Sequence, residues 1–424
     1  MSIPFTIPGE RVRVELGRSR GRANLVEVLE PSPHRVLARC PHFGANADPR
    51  VGPCGGCTWQ HIAYPEQLRL KTALVDRLVR EVLPRAPAVR ETLPGTDPRD
   101  PWGYRHKVHF VFDNAQRLVM GHYARGSRRV MPVRECAVHD PRGNQLAFDL
   151  RAAYTRAGVS AAQNGPGVLR SLAIRVGART PELMATLVVA DDRDKRLRTA
   201  TRTVLDRESG APTAFHLNLH PRGDAFIFGR DTRRLTGTER MRDEVAGTSF
   251  LISPTAFFQT NVHAAEILVR LVLEAVPDSA DVLDLYAGGG LFALPLARRG
   301  HRVVAVEENL AAVKDGEASL RVNRIAPEQC GFIARPVETA LRSVNHAGAA
   351  ILDPPREGCA PAVIERVFGG LRPGRAIYVS CNPEALAHDL RLISRHSYVV
   401  TSFQPVDMFP HTAHVETVAI LDKE

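Results

Sequence analysis

The stretch DVLDLYAGGGLFALPLA at residues 281–297 decides the fold. An apolar run typical of a buried strand leads into three consecutive glycines, and an apolar helical pattern follows. Glycines at such a turn let the backbone approach a ligand closely, and Gly288, Gly290 and Ala293 satisfy the G-x-G-x-x-A pattern. The stretch therefore predicts a strand–turn–helix unit that binds a nucleoside cofactor.

Regular alternation of strands and helices continues from about residue 246 to the end of the chain. The candidate strands are DVLDLY, HRVVAVE, CGFIARP, AAILD, AIYVSC, YVVTSF and HVETVAIL. Helical stretches separate most of them, whereas a short loop joins the last two. The pattern predicts a doubly wound, seven-stranded α/β sheet of the Rossmann-like type, with an antiparallel final pair.

Two acids near the glycine turn bear on the identity of the cofactor. Glu307 ends the next predicted strand, where a carboxylate could hold ribose hydroxyls. A nicotinamide dinucleotide and S-adenosylmethionine both fit this arrangement. Asp284, just before the turn, favours S-adenosylmethionine, because a negative charge suits a cationic, unphosphorylated cofactor better than a pyrophosphate.

Two further predicted strands end in residues that can carry chemistry. Asp353 lies in ILDPPREG (351–358), where the alternative interpretation is a helix N-cap before a rigid turn. Cys381 lies in YVSCNPEAL (378–386), where a free cysteine could also be only a small buried hydrophobic residue. Because ligands bind at the carboxyl ends of parallel strands, we expect both side chains in the cofactor crevice, with Cys381 as a nucleophile.

Glu416 and Gln259 are further candidates for the same site. Glu416 interrupts the apolar run of HVETVAIL, so it is either solvated on an outer face or a general base whose pKa is raised by burial. Gln259, in AFFQTN (256–261), could hydrogen-bond a ligand or lie on the surface.

A second group of residues consists of thiols in the first third of the chain. Cys40 precedes a C-x-x-C pair formed by Cys54 and Cys57, and Cys136 follows later. Four thiolates suit zinc or an iron–sulfur cluster. Zinc ribbons usually have two C-x-x-C pairs, so the single pair favours a cluster.

Charge and hydropathy indicate the kind of partner and the compartment. The formal net charge is +10, which favours a polyanion such as nucleic acid, although most of the excess is arginine and compositional bias could produce it. No apolar run is long enough to span a membrane, and the start lacks a signal-peptide pattern. We therefore expect a cytoplasmic protein, a monomer, with no membrane association.

The motifs Cys40, CGGC, FFQTN, DLYAGGG, DPPREG, SCNP and HVETV occur in the order found in RNA 5-methyluridine methyltransferases. Over nearly its whole length the chain resembles the iron–sulfur branch of that family, which modifies ribosomal RNA. The amino-terminal segment is shorter than the family's small β-barrel, the Cys40–Cys54 spacer is longer, and Leu291 replaces a frequent asparagine.

The resemblance implies a role for each motif residue. Cys381 would be the nucleophile that adds to uracil C6, and Glu416 the base. The residues implied to contact S-adenosylmethionine are Gln259, Tyr286, Glu307 and Asp353. The residues implied to ligate a 4Fe–4S cluster are Cys40, Cys54, Cys57 and Cys136.

The resemblance also implies a domain organisation and a substrate. We expect a truncated TRAM-like β segment at 1–39, an α+β central RNA-binding domain with the cluster at 40–245, and a methyltransferase domain at 246–424. The expected product is 5-methyluridine in RNA, with 23S ribosomal RNA as the expected substrate. The alternatives are a transfer-RNA methyltransferase, a nicotinamide-dependent oxidoreductase, and an iron–sulfur RNA-binding module whose catalytic domain is inactive.

Overall fold

A computed structural model describes residues 3–16, 23–44, 52–163, 165–222 and 227–424. The basic stretch GRSRGR at 17–22 lies outside the described residues, as does 45–51 of the Cys40–Cys54 spacer. In the described part of the chain, none of the helices combines the length and the apolar character needed to cross a membrane.

Up to residue 252, the described part of the chain forms twelve strands and three helices. The strands are β1 (Arg11–Leu16), β2 (Ala23–Glu30), β3 (Leu93–Pro94), β4 (Lys107–Asn114), β5 (Leu118–Tyr123), β6 (Val130–Pro132), β7 (Leu169–Val176), β8 (Leu183–Val189), β9 (Ala214–Leu219), β10 (Asp231–Gly237), β11 (Met241–Val245) and β12 (Thr248–Ile252). The helices are α1 (Tyr64–Val82), α2 (Pro141–Arg156) and α3 (Lys195–Leu205).

The second half alternates strand and helix, as the sequence predicts. The strands are β13 (Asp281–Leu285), β14 (Arg302–Glu307), β15 (Cys330–Ala334), β16 (Ala349–Leu352), β17 (Arg375–Ser380), β18 (Tyr398–Asp407) and β19 (Glu416–Lys423). The helices are α4 (Val262–Ala275), α5 (Ala293–Arg298), α6 (Leu310–Val322), α7 (Val337–Ala340), α8 (Pro361–Ile364) and α9 (Pro383–Ile393), with a π-helical turn at Glu365–Leu371.

Three sheets of the described residues precede the carboxy-terminal one, and the last of them is the antiparallel pair of β11 and β12. Strands β1 and β2 form an antiparallel pair whose alternating residues are largely exposed. A seven-stranded sheet follows, in the order β10-β9-β8-β7-β4-β5-β6. Its inner strands are apolar and buried, since β8 reads LMATLVV, and its core packs against α2 and α3. This sheet with its helices agrees with the α+β arrangement expected for the middle of the chain.

The carboxy-terminal sheet has the order β15-β14-β13-β16-β17-β19-β18-β3. Strands β13 to β17 pair in parallel, whereas β19 pairs antiparallel with both β17 and β18. The seven predicted strands and the antiparallel final pair are confirmed. The strand order reverses between β13 and β16, and ligands of such sheets bind at that point.

Elements from before residue 245 also join this sheet. The stretch 84–101 contributes β3 even though its prolines favour a loop, and β3 pairs in parallel with Val406 and Asp407. Helix α1 packs against α9 and β18 through buried residues such as Val75 and Val79. The domain boundaries at 39/40 and 245/246 therefore remain a proposal.

Candidate active site

The ends of five neighbouring strands meet at one edge of the carboxy-terminal sheet. Tyr286 follows β13, Glu307 ends β14, Asp353 follows β16 and Cys381 follows β17. Glu416 begins β19, which runs the opposite way, so it reaches the same edge. The edge that the sequence predicts for these residues is thus the edge where the structure places them.

Cys381 and Glu416 lie opposite each other at the ends of two adjacent antiparallel strands, β17 and β19. The last paired residues are Ser380 and Thr417, and Cys381 and Glu416 are the next positions of the same register. Glu416 is only 6% exposed, and Cys381 is half-buried. The bland interpretation of Glu416 as an outward-facing residue is wrong.

Burial changes the proton affinity of both groups. Burial raises the pKa of Glu416, the Asp353 carboxylate adds to this increase, and the Arg356 guanidinium opposes it. The net pKa is about 8. Burial also raises the pKa of Cys381 to about 11, with Glu416 and Asp353 adding to the increase and Arg356 opposing it. The pKa of Asp353 itself is raised to about 7 by burial. The site therefore combines three acidic groups that readily keep their protons.

Sequence reasoning missed Arg356, the cation that influences this group. Its backbone oxygen accepts a hydrogen bond from Asn382 Nδ2 at 2.9 Å, and its guanidinium lies 3.3 Å from His414 Nδ1. Among the described residues, no carboxylate forms an ion pair with it. The available signal was its place in DPPREG, three residues after Asp353.

The glycine turn after β13 is shaped for close approach of a ligand. Tyr286, Gly288 and Gly290 all have positive φ, and a Cβ on Gly290 would meet the Leu294 side chain at 2.1 Å. The Glu307 carboxylate accepts a hydrogen bond from Gly288 N at 2.9 Å. Glu307 therefore fixes the turn from the neighbouring strand as well as facing the crevice.

Asp284 lies under the turn rather than in the open crevice. It is fully buried, and one oxygen accepts a hydrogen bond from Ala293 N at 3.0 Å, while the other oxygen has no partner among the described residues. Burial raises its pKa well above the usual range. Burial therefore disfavours the charged form of this carboxyl, which weakens the charge argument that Asp284 offered for a cationic cofactor.

Gln259 lies in the loop between β12 and α4, close to an exposed aromatic ring. Phe257 is 74% exposed, an unusual state for a large apolar side chain. The carbonyl of Ala256 accepts hydrogen bonds from Lys107 and Arg175, each at 3.2 Å. Two cations of the seven-stranded sheet thus hold the loop that carries Gln259.

The structure gathers the four amino-terminal thiols around one cavity of about 500 Å³. All four are free thiols, and burial raises the pKa of each one. An isolated bridge pairs Cys54 with Ala124, which brings the C-x-x-C turn beside the strand ends that lead to Cys136. Within the described ranges, however, no three His, Cys, Asp or Glu side chains have the spacing of a single metal-ion site.

Known proteins resemble the chain along almost its whole length. Residues 238–424 match the tRNA (uracil-5-)-methyltransferase family. Uncharacterised RNA methyltransferases of Gloeobacter violaceus and Thermosynechococcus vestitus are 36% and 35% identical to it, covering 98% of this chain and 90% and 91% of theirs. The crystal structure of Pyrococcus abyssi tRNA (uracil-54, C5)-methyltransferase in complex with S-adenosyl-L-homocysteine is 27% identical, covers 99% of this chain and 95% of that one, and superposes with a TM-score of 0.80.

The fold and the strand-end site thus define an S-adenosylmethionine-dependent RNA methyltransferase. The chain belongs to the RNA (uracil-5-)-methyltransferase family. This membership selects S-adenosylmethionine over a nicotinamide dinucleotide, so the oxidoreductase alternative is wrong.

Proposed function

We propose that the protein forms 5-methyluridine in RNA through a covalent bond between Cys381 and uracil C6. The observation that carries the proposal is the pairing of a thiol with a buried carboxyl on adjacent antiparallel strands. A nucleophile and a base must both reach one small ring, and this register brings them to it.

The reaction divides into addition, methyl transfer and elimination. The Cys381 thiolate adds to C6, and the ring electrons make C5 nucleophilic. S-adenosylmethionine supplies an electrophilic methyl group on a cationic sulfur. After C5 has taken that methyl group, it carries both a methyl and a proton. Glu416 removes the proton, the C5–C6 double bond re-forms, and the C6–S bond breaks to return the Cys381 thiolate.

Residues around the glycine turn are proposed to hold the cofactor. The set is Gln259, Tyr286, Glu307 and Asp353. Carboxylates can accept hydrogen bonds from ribose hydroxyls, and the positive φ at Tyr286 turns the backbone toward the crevice. The observation that supports the set is its common location at the strand-order reversal.

A 4Fe–4S cluster is proposed to bind Cys40, Cys54, Cys57 and Cys136. A cluster occupies the space between its ligands, so its thiolates are farther apart than those of a single ion. Four free thiols around one cavity match the number of thiolates that such a cluster needs. The cluster would join the C-x-x-C turn to the seven-stranded sheet.

The proposed RNA is 23S ribosomal RNA, on the resemblance to the iron–sulfur branch. Transfer RNA is the second candidate, favoured by the likeness to an archaeal tRNA (uracil-54, C5)-methyltransferase along the whole chain. We propose that the enzyme acts as a cytoplasmic monomer. Mapping 5-methyluridine in ribosomal and transfer RNA from cells lacking the gene separates the two substrates, because only one class should lose a site.

Transfer of a labelled methyl group tests the chemistry. Cys381→Ala should abolish methylation and leave S-adenosylmethionine binding intact. Glu416→Gln should retain addition and methyl transfer but stop at elimination, because glutamine cannot accept the C5 proton. A protein–RNA band carrying the label should then appear on a denaturing gel. Substantial turnover by Cys381→Ala would exclude covalent catalysis through this thiol.

A further inference from the structure

The loop that leads into Glu416 contains a residue in an unfavourable conformation. His411 has a φ of 66°, in the left-handed region that non-glycine residues rarely adopt, and it is only 3% exposed. Such a conformation is energetically unfavourable and persists only where surrounding contacts impose it. The contacts of His411 identify what imposes it.

The backbone of His411 is held by a turn that is far away in the sequence. Its carbonyl accepts hydrogen bonds from Thr58 N at 2.9 Å and Trp59 N at 2.8 Å, and its own N–H donates to Gln67 Oε1 at 2.8 Å. Thr58 directly follows Cys57, so the cysteine segment touches the loop before Glu416. Helix α1 supplies the third contact.

The ring of His411 is equally constrained. It stacks on Trp102 at 3.9 Å between centroids, with Nε2 at 2.9 Å from the Pro101 carbonyl and Nδ1 at 3.3 Å from Gln67 Nε2. These partners require a proton on Nε2 and none on Nδ1. Burial lowers the pKa of His411 to about 4, so the ring is neutral at physiological pH. A neutral ring of this kind is a poor acid or base, but its contacts hold the loop in a fixed position.

The loop is also fixed on either side of His411. Tyr104 donates its hydroxyl to the Pro410 carbonyl at 3.0 Å, and Asn261 Nδ2 donates to the Met408 carbonyl at 3.1 Å. His411 and Glu416 are separated by only four residues. The short connection cannot absorb a shift of the His411 backbone, so such a shift would also move Glu416. The position of the Glu416 carboxylate therefore depends on contacts from the first third of the protein.

We propose that His411 is a positioning residue for Glu416, and that the Thr58–Trp59 turn and Gln67 act through it. The inference rests on the proposed role of Glu416 as the base. It assigns to the cysteine segment a direct mechanical influence on the elimination step. Addition and methyl transfer need Cys381 but not the base, so they should not depend on His411.

The test measures methyl transfer and product release separately in His411→Gly and His411→Ala. Glycine adopts the positive φ without strain, so His411→Gly removes the ring alone, whereas His411→Ala removes the ring and keeps the strain. In both variants, a displacement of the base by about 1 Å should slow release of the methylated RNA by about 10–100-fold. Single-turnover methyl transfer should stay within about threefold of the wild-type rate. The labelled protein–RNA band should accumulate, as expected for Glu416→Gln.

A variant outside the loop provides an independent measurement. Gln67→Ala removes two contacts of His411 and touches neither Cys381 nor Glu416, so a smaller accumulation of the same band is expected. Both tryptophans of the chain, Trp59 and Trp102, contact His411, and their emission should therefore shift in His411→Gly and Gln67→Ala. His396→Ala, in the loop after α9, and Gln145→Ala, on the exposed face of α2, serve as matched controls with unchanged kinetics.

The outcomes separate this inference from the proposed function. If Glu416→Gln forms no band, the role of Glu416 as base is wrong. If Glu416→Gln forms the band and the His411 and Gln67 variants do not, only the positioning role is overturned. An equal loss of methyl transfer and release would also overturn it, since that is the signature of a general structural defect. If the His411 variants do not fold, Gln67→Ala decides by the same criteria.

Discussion

At the scale of single residues, burial acts on Glu416 and Cys381 in the same direction. A desolvated carboxylate and a desolvated thiolate are both less stable than their protonated forms, so the pKa of each is raised, to about 8 and about 11. A carboxyl that titrates near neutral pH is matched to accepting a proton from carbon and then losing it to solvent. The same burial leaves the thiol mostly protonated until the site is occupied.

The pH dependence of turnover should follow from these values. Both groups act in their ionised forms, so turnover should rise with pH through about 8 and fall about tenfold per unit below that value where elimination limits. Steady-state rates between about pH 6 and pH 9, compared with the rate of adduct release, check this. A profile that is flat over the range would exclude a base with a raised pKa.

Ionisation of Glu416 should also affect the stability of the protein, but in the opposite direction: turnover rises with pH, whereas the free energy of unfolding falls. Because the folded pKa of Glu416 exceeds its ordinary value of 4.5, the folded state binds the proton more tightly than the unfolded state. The resulting stability is complete below about pH 4.5 and is lost as the pH rises through about 8. Glu416→Gln should therefore gain about 5 kcal/mol in free energy of unfolding relative to the wild type between about pH 4 and pH 9. Urea unfolding at the two pH values measures it, and an unchanged difference would contradict the burial argument.

The sequence could predict residues whose role depends on where a strand ends. Cys381, Asp353 and Glu307 lie at the predicted edge, because an apolar run and its terminator are local signals. Arg356 and His411 escaped prediction, because their significance arises from contacts with residues far away in the chain. The burial of Asp284 escaped prediction for a related reason, since it depends on the packed turn above this residue.

At the scale of elements, Asn261 links the cofactor edge to helix α4. Its Oδ1 accepts a hydrogen bond from Ala264 N at 3.2 Å as the helix N-cap, and its Nδ2 donates to the Met408 carbonyl. One side chain thus caps a helix and fixes the loop that continues to Glu416. The residue is fully buried, so neither partner can turn to water.

Asn261→Ala should destabilise the protein by about 2–3 kcal/mol, since it removes an N-cap and leaves a buried carbonyl unpaired. Asn309→Ala provides the matched control, because Asn309 caps α6 where it is exposed and should cost only about 1 kcal/mol. Urea unfolding of both variants measures the difference. Equal values would show that the Met408 contact contributes nothing.

Most elements followed from periodicity, and the exceptions have a common cause. Strands β13 to β19 are long enough and apolar enough to be read directly. Strand β3 has two residues in a proline-rich segment, and it exists only because β18 offers an edge for pairing. The packing of α1 against α9 is likewise a tertiary choice, since an amphipathic helix does not specify which apolar surface it covers.

At the scale of the whole molecule, a buried ion pair joins the first third of the chain to the last. Lys71 Nζ lies 2.5 Å from Asp407 Oδ1, and both side chains are inaccessible to solvent. Burial lowers the pKa of Lys71 and raises that of Asp407, so each charge depends on the other. Lys71 also donates to the Phe409 carbonyl, at the start of the loop that holds His411.

Breaking this pair from one side should cost more than removing it. Lys71→Met should lower the free energy of unfolding by about 3–5 kcal/mol, because it strands a buried carboxyl. Lys71→Met combined with Asp407→Asn should recover part of that loss. Denaturation of the single and double variants forms a thermodynamic cycle. Strictly additive losses would mean that the two charges do not interact.

The excess of positive charge belongs to the same scale, since no single arginine explains it. Many arginines of the described ranges already form ion pairs with carboxylates, such as Arg35 with Glu10 and Arg375 with Asp422, so the net charge of +10 resides in the remaining cations.

The cations that are not paired with carboxylates would contact RNA phosphates and release condensed counterions. For about five phosphate contacts, the logarithm of RNA affinity should fall against the logarithm of salt concentration with a slope of roughly −3.5 on single strands and −4.5 on duplex. Filter binding between about 50 and 200 mM salt measures the slope. Binding of S-adenosylhomocysteine, which carries no net charge to neutralise, should change little over the same range and serves as the control. A flat response of RNA binding would show that the arginines are compositional rather than a surface for RNA.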